Sequence, residues 1–490
     1  MISSKILVKS SIILLLLASL IVALSTTASA ITVTEVCALD SSGYAIGADG
    51  DLWVWGYFLG EKYVHPTKVP LIDHVKMVAS GVGGAVVLKD DGTVWAWGMM
   101  PASQAGSYPG ENSTTPVQIN IADVKSIAST GNTVYMVKTD GSLWMCGREL
   151  CLSFDDIRHS EYTLEPVQLS IGNVSRVVPT ISFVYVQKDD GSWWSWGENR
   201  DYQLNDGTNV SRELPVQMQL DNVKLVCPQS ICFGINDYYM SDSSVLALDG
   251  TGQVYGWGKN NFWVSGDSKF PTYDGTNDDG DPLGYVVPSP HPVPGMSDVR
   301  EIDSGVGYYV ALKKDGTIWA WGSNPNCYDG QASLDSNTPV QLSGFSDIVA
   351  ISTGDMHLLA VKNDGTVWAW GSNCFGELGN GEISQYGGKP YAVQVTDLYV
   401  DLPGDASSVS VSSTPTPVPD NTTGPVQEAD STGTPTPAIV TTASPTPVPL
   451  PDVSPVPATG FDFSALAVLG CLLVTAGITA GFLGRKREGQ

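Results

Sequence analysis

The densest set of chemically capable side chains is the run Asp274-Gly275-Thr276-Asn277-Asp278-Asp279-Gly280-Asp281, preceded by Trp263, Phe270 and Tyr273. Carboxylate and amide oxygens on a glycine-containing loop suit a hard cation, so Asp274, Asn277, Asp279 and Asp281 are candidate calcium ligands. The EF-hand frame fails, however: with Gly280 at the turn position, Gly275 stands where the first Asp is needed. A solvated acidic turn is the preferred reading, with no bound metal. The neighbouring aromatics give the loop a second use. Trp263, Phe270 and Tyr273 beside Asp274, Asp278, Asp279 and Asp281 form a candidate contact surface, because loops on a rigid scaffold commonly carry binding residues.

Other chemistry is sparse. The histidines, His65, His74, His159, His291 and His357, are scattered, and no zinc-protease, nucleophile-elbow or phosphate-loop motif is present. No cofactor is expected, and the chain reads as a non-enzyme. The alternative is an extracellular hydrolase or lyase whose carboxylates converge from several repeats and leave no linear motif. Of the 8 cysteines, Cys146 with Cys151 and Cys227 with Cys232 are spaced to close small loops in an oxidising compartment. Cys327 and Cys374 occupy corresponding loops of neighbouring repeats and could bridge them; Cys37 is then left over.

These residues must be positioned by a repeated element. Asp49-Gly50 to Trp55-Gly56, Asp91-Gly92 to Trp97-Gly98, Asp140-Gly141 to Cys146-Gly147, Asp190-Gly191 to Trp196-Gly197, Asp249-Gly250 to Trp257-Gly258, Asp315-Gly316 to Trp321-Gly322 and Asp364-Gly365 to Trp370-Gly371 are copies of one phrase. A supersecondary unit recurring at a period of roughly 40 to 50 residues marks a propeller or solenoid. Asp-Gly supplies a tight hairpin turn, and the alternating apolar residues after it fit a half-buried strand with both Trp on one face.

An apolar Val-x-x-Val strand and a second strand precede each phrase, and a Pro-Val pair such as Pro166-Val167 opens a fourth strand after it. Pro is tolerated at the start of an outer strand, where no ladder donor is lost. The expected fold is all-β, a seven-bladed β-propeller of four-stranded antiparallel blades over residues 31–400. The C-terminal strand near Tyr391 to Val395 is expected to complete a blade begun by the N-terminal segment, closing the ring by pairing the terminal strands.

The repeat resembles that of the regulator of chromosome condensation family, whose units end in a dG-x-[vw]-[yw]-x-W-G strand followed by an N-x-x-G-q-L-G loop. The match is fullest where Gly354-Asp355-Met356-His357 precedes the last phrase and Asn373-Cys374-Phe375-Gly376-Glu377-Leu378-Gly379 follows it. The loop survives as Gln203-Leu204 in the fourth repeat and reads as lost elsewhere. The resemblance implies the fold, and with it roles in nucleotide exchange on a nuclear GTPase, in ubiquitin ligases, or in secreted inhibitors that grip an enzyme across one propeller face.

The ends of the chain point outside the cell. Lys5 and Lys9, an apolar run and Ala28-Ser29-Ala30 make residues 1–30 a signal peptide. Residues 401–460 form a stalk rich in Pro and Thr, without Lys or Arg. Residues 461–484 are apolar and long enough to span a membrane, with Cys471 inside, and 485–490 form a basic cytoplasmic tail. Pro457, Ala458, Thr459 and Gly460 follow Val456 in a pattern that resembles a bacterial sorting signal. Asn112, Asn173, Asn209 and Asn421 head glycosylation sequons.

The net charge of −26 makes nucleic acid an unsuitable partner, since such binding needs clustered Lys and Arg. The expectation is a cell-surface binding or adhesion module, anchored through its C-terminal segment, that recognises a protein or a surface glycan through its loops.

Overall fold

In the computed structural model, residues 31–81, 84–99, 112–130, 133–148, 162–229, 243–260, 263–268, 286–322, 336–384 and 388–402 are described. Every regular element among them is a strand. No helix of the described residues is long and apolar enough to cross a membrane.

The repeated phrase folds through a local relay. In five repeats the Asp Oδ1 (Asp91, Asp140, Asp190, Asp315, Asp364) accepts from the backbone N–H and the hydroxyl of the Ser or Thr two residues on. That hydroxyl oxygen in turn accepts from the indole N–H of the Trp at the fifth position of the phrase: Trp95, Trp144, Trp194, Trp319 and Trp368, at 2.9–3.1 Å. A Lys from the preceding strand lies over each of these rings, 4.3–5.9 Å from the centroid. The Asp therefore orders the turn and, through one hydroxyl, orients the aromatic that follows. The closing glycine is demanded by crowding: at Gly258, with φ 91°, a Cβ would stand 2.1 Å from the Ser243 carbonyl oxygen.

The first strands, Ile31–Leu39, Val75–Gly81, Val124–Ser129, Val174–Pro179, Val223–Pro228, Val299–Gly305 and Ile348–Thr353, share one irregularity. Each pairs with its second strand through a bulge that skips the residue after the leading Val or Ile, as at Thr34 or Arg300. These strands touch in order from the second repeat to the seventh, and the seventh touches the first. Polar side chains span their facing edges. Glu301 Oε2 accepts from Ile351 N (3.1 Å), Asp303 Oδ2 from Thr353 N (2.8 Å) and Ser352 Oγ from Ala38 N (2.9 Å), while Lys224 Nζ donates to the Arg300 carbonyl (3.2 Å). Backbone groups with no strand partner on that side are thereby satisfied.

The strands form six sheets: five of four strands and one of eight. Seven separate blades were the sequence expectation; the first and last repeats instead merge. Ile31, Thr32 and Val33 pair in parallel with Leu398, Tyr399 and Val400. The expected shared blade is also corrected. Glu61–Lys68 already completes the first repeat, and Lys389–Val400 completes its own, pairing with Thr366–Gly371. Its final residues are paired on both sides: Tyr399 faces Thr366 on one side and Thr32 of the N-terminal strand on the other, and Asp401 N donates to the Val33 carbonyl at 2.7 Å.

The apolar core lies between sheets. One cluster joins Val33, Val36 and Trp55 to Leu359, Leu378, Val395 and Leu398, all buried, and so ties the two ends of the chain. Another runs from Phe183 and Tyr185 through Trp257 to Trp321.

Candidate functional site, a loop face built from repeated asparagine turns

The loops that follow the Trp-Gly strands share one backbone design in three repeats, over Asn199–Asn205, over Asn260 with Trp263–Gly266, and over Asn373–Gly379. In each, the Asn Oδ1 accepts from the backbone N–H five residues on: Leu204 at 2.9 Å, Ser265 at 3.1 Å and Leu378 at 3.1 Å. The Asn carbonyl accepts from Tyr202 N and Trp263 N in the first two. The fourth and seventh positions are left-handed in all three: Tyr202, Trp263 and Gly376 at φ 62°, 59° and 92°, and Asn205, Gly266 and Gly379 at φ 50°, 57° and 58°.

The loop is therefore retained in the fifth repeat, where the sequence reading had lost it. Trp263 occupies the position that Gly376 holds in the seventh repeat, half-buried, in a backbone conformation that disfavours a bulky side chain. The usable signal was the Asn-to-Gly spacing rather than the Gly-x-Leu-Gly letters.

The fifth residue of the loop reaches the next repeat. The Glu377 carbonyl accepts from Trp55 Nε1 at 2.9 Å, and the Gln203 carbonyl from Trp257 Nε1 at 3.1 Å. Val264 holds the corresponding place, but its carbonyl oxygen crowds Gly256 instead. Trp321 Nε1, the corresponding indole, is buried without a hydrogen-bond partner.

The side chains beneath the loops are acidic and dehydrated. Glu377 Oε2 accepts from Phe375 N at 2.7 Å and its Oε1 from Ser372 Oγ at 3.0 Å, and burial raises its pKa. In the fourth repeat Glu198 and Gln203 stand where Ser372 and Glu377 stand in the seventh; Glu198 Oε2 and Gln203 Nε2 are buried and unpaired. Burial also raises the pKa of Glu198 and Asp201, the latter against the opposing charge of Lys259. At the seam of the first and last repeats, Lys62 Nζ donates to the Cys374 carbonyl at 3.0 Å and lies 4.6 Å from the Phe375 ring centroid. Tyr57 meets the same ring at 5.2 Å. His357 is fully buried, its pKa pushed down to about 4 by desolvation, which leaves it neutral and a core residue.

The other sequence candidates are not brought to this face. Phe270, Tyr273, Asp274, Asn277, Asp278, Asp279 and Asp281 lie outside the described residues, as do Asn421 and Pro457, Ala458, Thr459 and Gly460. Cys37, Cys146, Cys227 and Cys374 are free thiols, and Cys151, Cys232 and Cys327 lie outside the described residues. Cys227 Sγ is 3.2 Å from Ser304 Oγ, beside Asp303. Asn173 and Asn209 are exposed, and Asn112 opens the strand Asn112–Ile119. No group of three or more His, Cys, Asp or Glu among the described residues is placed to hold a metal ion.

In its four-stranded antiparallel sheets the chain resembles propellers built from regulator of chromosome condensation (RCC1) repeats. Models of that repeat match residues 190–235 and 315–361, and a second model of it matches 348–377. Mitochondrial RUG3 of Arabidopsis thaliana, an RCC1 domain-containing protein, is 33% identical over 116 residues, 21% of this chain and 26% of that protein. Protein pim1 of Schizosaccharomyces pombe is 23% identical over 142 residues, 27% of this chain and 26% of that protein. The aligned part thus spans about a quarter of each of these curated relatives.

Among solved structures, human WBSCR16 superposes with a TM-score of 0.56 at 19% identity, covering 74% of this chain and 97% of that one. Prp20p of Saccharomyces cerevisiae, whose binding properties to Gsp1p and histones are described with its structure, gives 0.53 at 17% identity, covering 74% and 87%. At these identities the likeness is one of fold.

Proposed function

We propose that this chain is a non-enzymatic binding module whose repeats form a ring of seven blades, the eight-stranded sheet counting as two, and that it engages a protein partner through the loop face. The observation that carries this is Trp263. A half-buried aromatic held at a left-handed position costs backbone energy that glycine in the same loop avoids. A large aromatic at a loop tip is the kind of side chain that anchors protein interfaces. Phe375, with Tyr57 and Lys62 against it, offers a second anchor on the same type of loop. The partner-binding Prp20p supplies a precedent for this fold in protein recognition. The propeller is further proposed to be exported and held at the cell surface by the stalk and apolar segment beyond residue 402, in accord with the composition of both chain ends.

Affinity capture from the native organism with the full-length chain, beside a Trp263→Ala, Phe375→Ala double variant, tests the reading. A partner retained by the wild type and lost by the folded variant supports it; equal capture by both overturns it. Protease shaving of intact cells tests the location, with an uncleaved propeller counting against surface display.

A further inference from the structure

At the opposite end of the sheets from these loops, a groove of about 440 Å³ lies between the second and third repeats. Its walls include Gln118 and Asn120, at and after the end of the strand Asn112–Ile119, and Lys138, Trp144, Glu165 and Pro166 of the third repeat. We propose that this groove is a saccharide-binding subsite, with the Trp144 indole as platform and Asn120 and Glu165 as the groups that read hydroxyls.

The assignment follows from the donor set. A pyranose presents a ring face of C–H groups and an equatorial rim of hydroxyls, so it needs an apolar plane beside groups that both donate and accept. Trp144 is half-buried, and its N–H is already held by Ser142 Oγ at 2.9 Å, which fixes the ring plane before any ligand arrives. Lys138 Nζ lies over the ring, 5.5 Å from its centroid and 4.0 Å from Asp123 Oδ2, so a saccharide stacked there would share that face with a cationic donor. Asn120 Nδ2 reaches Glu165 Oε2 at only 3.5 Å. That contact is at the weak limit of a hydrogen bond, and once the two exposed side chains part by about 1 Å a hydroxyl that accepts from the amide and donates to the carboxylate replaces it.

The volume falls within the ordinary range for small-ligand sites, roughly 300–1,000 Å³. The arrangement is not shared by the next boundary. At the next boundary the residues matching Asn120 and Glu165 in sequence register are Ser170 and Leu214, although Trp194 there keeps the same relay and the same covering Lys. An apolar residue facing a short hydroxyl cannot bracket a sugar in the same way.

Saturation-transfer NMR on the full-length chain with methyl glycosides of glucose, galactose, mannose and N-acetylglucosamine is the test. At least one glycoside is expected to bind saturably with millimolar affinity. Trp144→Ala is expected to weaken it at least tenfold, and the exposed pair Asn120→Ala, Glu165→Ala similarly, which covers the case in which the Trp variant does not fold. Trp194→Ala serves as control and is expected to leave binding unchanged. Absence of saturable binding across the panel overturns the assignment, as does binding unaffected by the Asn120, Glu165 pair. Because the loop-face variants leave this groove intact, loss of partner capture and loss of saccharide binding are separate outcomes.

Discussion

Trp55 Nε1 donates to the main-chain oxygen of Glu377 at 2.9 Å, across 322 residues of sequence. A fully buried side chain in the first repeat thus depends on the loop of the last. Trp257 uses the same bond to Gln203, while Trp321 does without it.

This contrast predicts unequal costs for one substitution. Trp55→Phe is expected to destabilise by about 1 kcal/mol more than Trp321→Phe, because it removes a hydrogen bond and leaves a buried carbonyl unpaired. Urea denaturation midpoints measure the difference; equal midpoints would show that the bond contributes nothing net.

The left-handed loop position predicts a separation of stability from binding. Trp263→Gly relieves about 1 kcal/mol of backbone strain while removing a half-buried ring, so its stability is expected to stay within about 1 kcal/mol of wild type. Partner capture is expected to fall. The reverse change, Gly376→Ala, places a Cβ 2.9 Å from the Tyr63 carbonyl oxygen at φ 92° and is expected to destabilise by more than about 1 kcal/mol.

Glu301 predicts a pH dependence. Burial pushes its pKa up from 4.5 to about 8, against the lowering influence of Arg300, Lys224 and the Ile351 N–H and with a raising influence from Asp303. A native pKa above the unfolded one means the folded chain holds the proton more tightly, so this stabilisation is complete below about pH 4.5 and is lost as pH rises through about 8. Glu301→Gln, which keeps the acceptor for Ile351 N, is therefore expected to gain stability relative to wild type between pH 5 and pH 9, by about 2–4 kcal/mol. Thermal melts across that range would expose the opposite sign at once. Glu35, raised to about 7 by burial, acts in the same direction.

The parallel seam predicts a long-range effect. Leu398 is fully buried, and Leu398→Ala is expected to cost about 2–4 kcal/mol. Amide exchange at Ile31 to Val33 should accelerate in the variant more than exchange at Val245 to Leu248, buried in another cluster. Uniform acceleration would contradict a local role for the seam.

Much of the fold was legible because the Asp–Ser/Thr–Trp relay spans only five residues, so turn, strand and ring orientation are written in consecutive letters. The first strands of the repeats followed the Val-x-x-Val pattern for the same reason, whereas their shared bulge was not legible. The loop at Asn260–Gly266 was missed because its design lies in backbone conformation: Asn at the start and a left-handed residue at the end suffice, whatever stands between. Glu301, Asp303 and Ser352 were also silent, since a polar letter in an apolar strand acquires meaning only from the edge of the next strand. The pairing of the terminal strands was expected, but it is made by Leu398, Tyr399 and Val400, beyond the Tyr391 to Val395 strand to which it was assigned, because their partners lie at the far end of the chain. The acidic loop with Phe270 and Tyr273 lies outside the described residues.

The pairing of residues 31–33 with 398–400 has a mechanical meaning. Because these strands run in the same direction, tension applied at Ile31 and at Val400 pulls them in opposite senses along a common axis. Their hydrogen bonds are loaded together, in shear, rather than opened one after another from an end. The two points where the chain enters and leaves the folded body are thus fastened to each other, and a pull on the C-terminal side meets a clamp before it reaches any sheet interior.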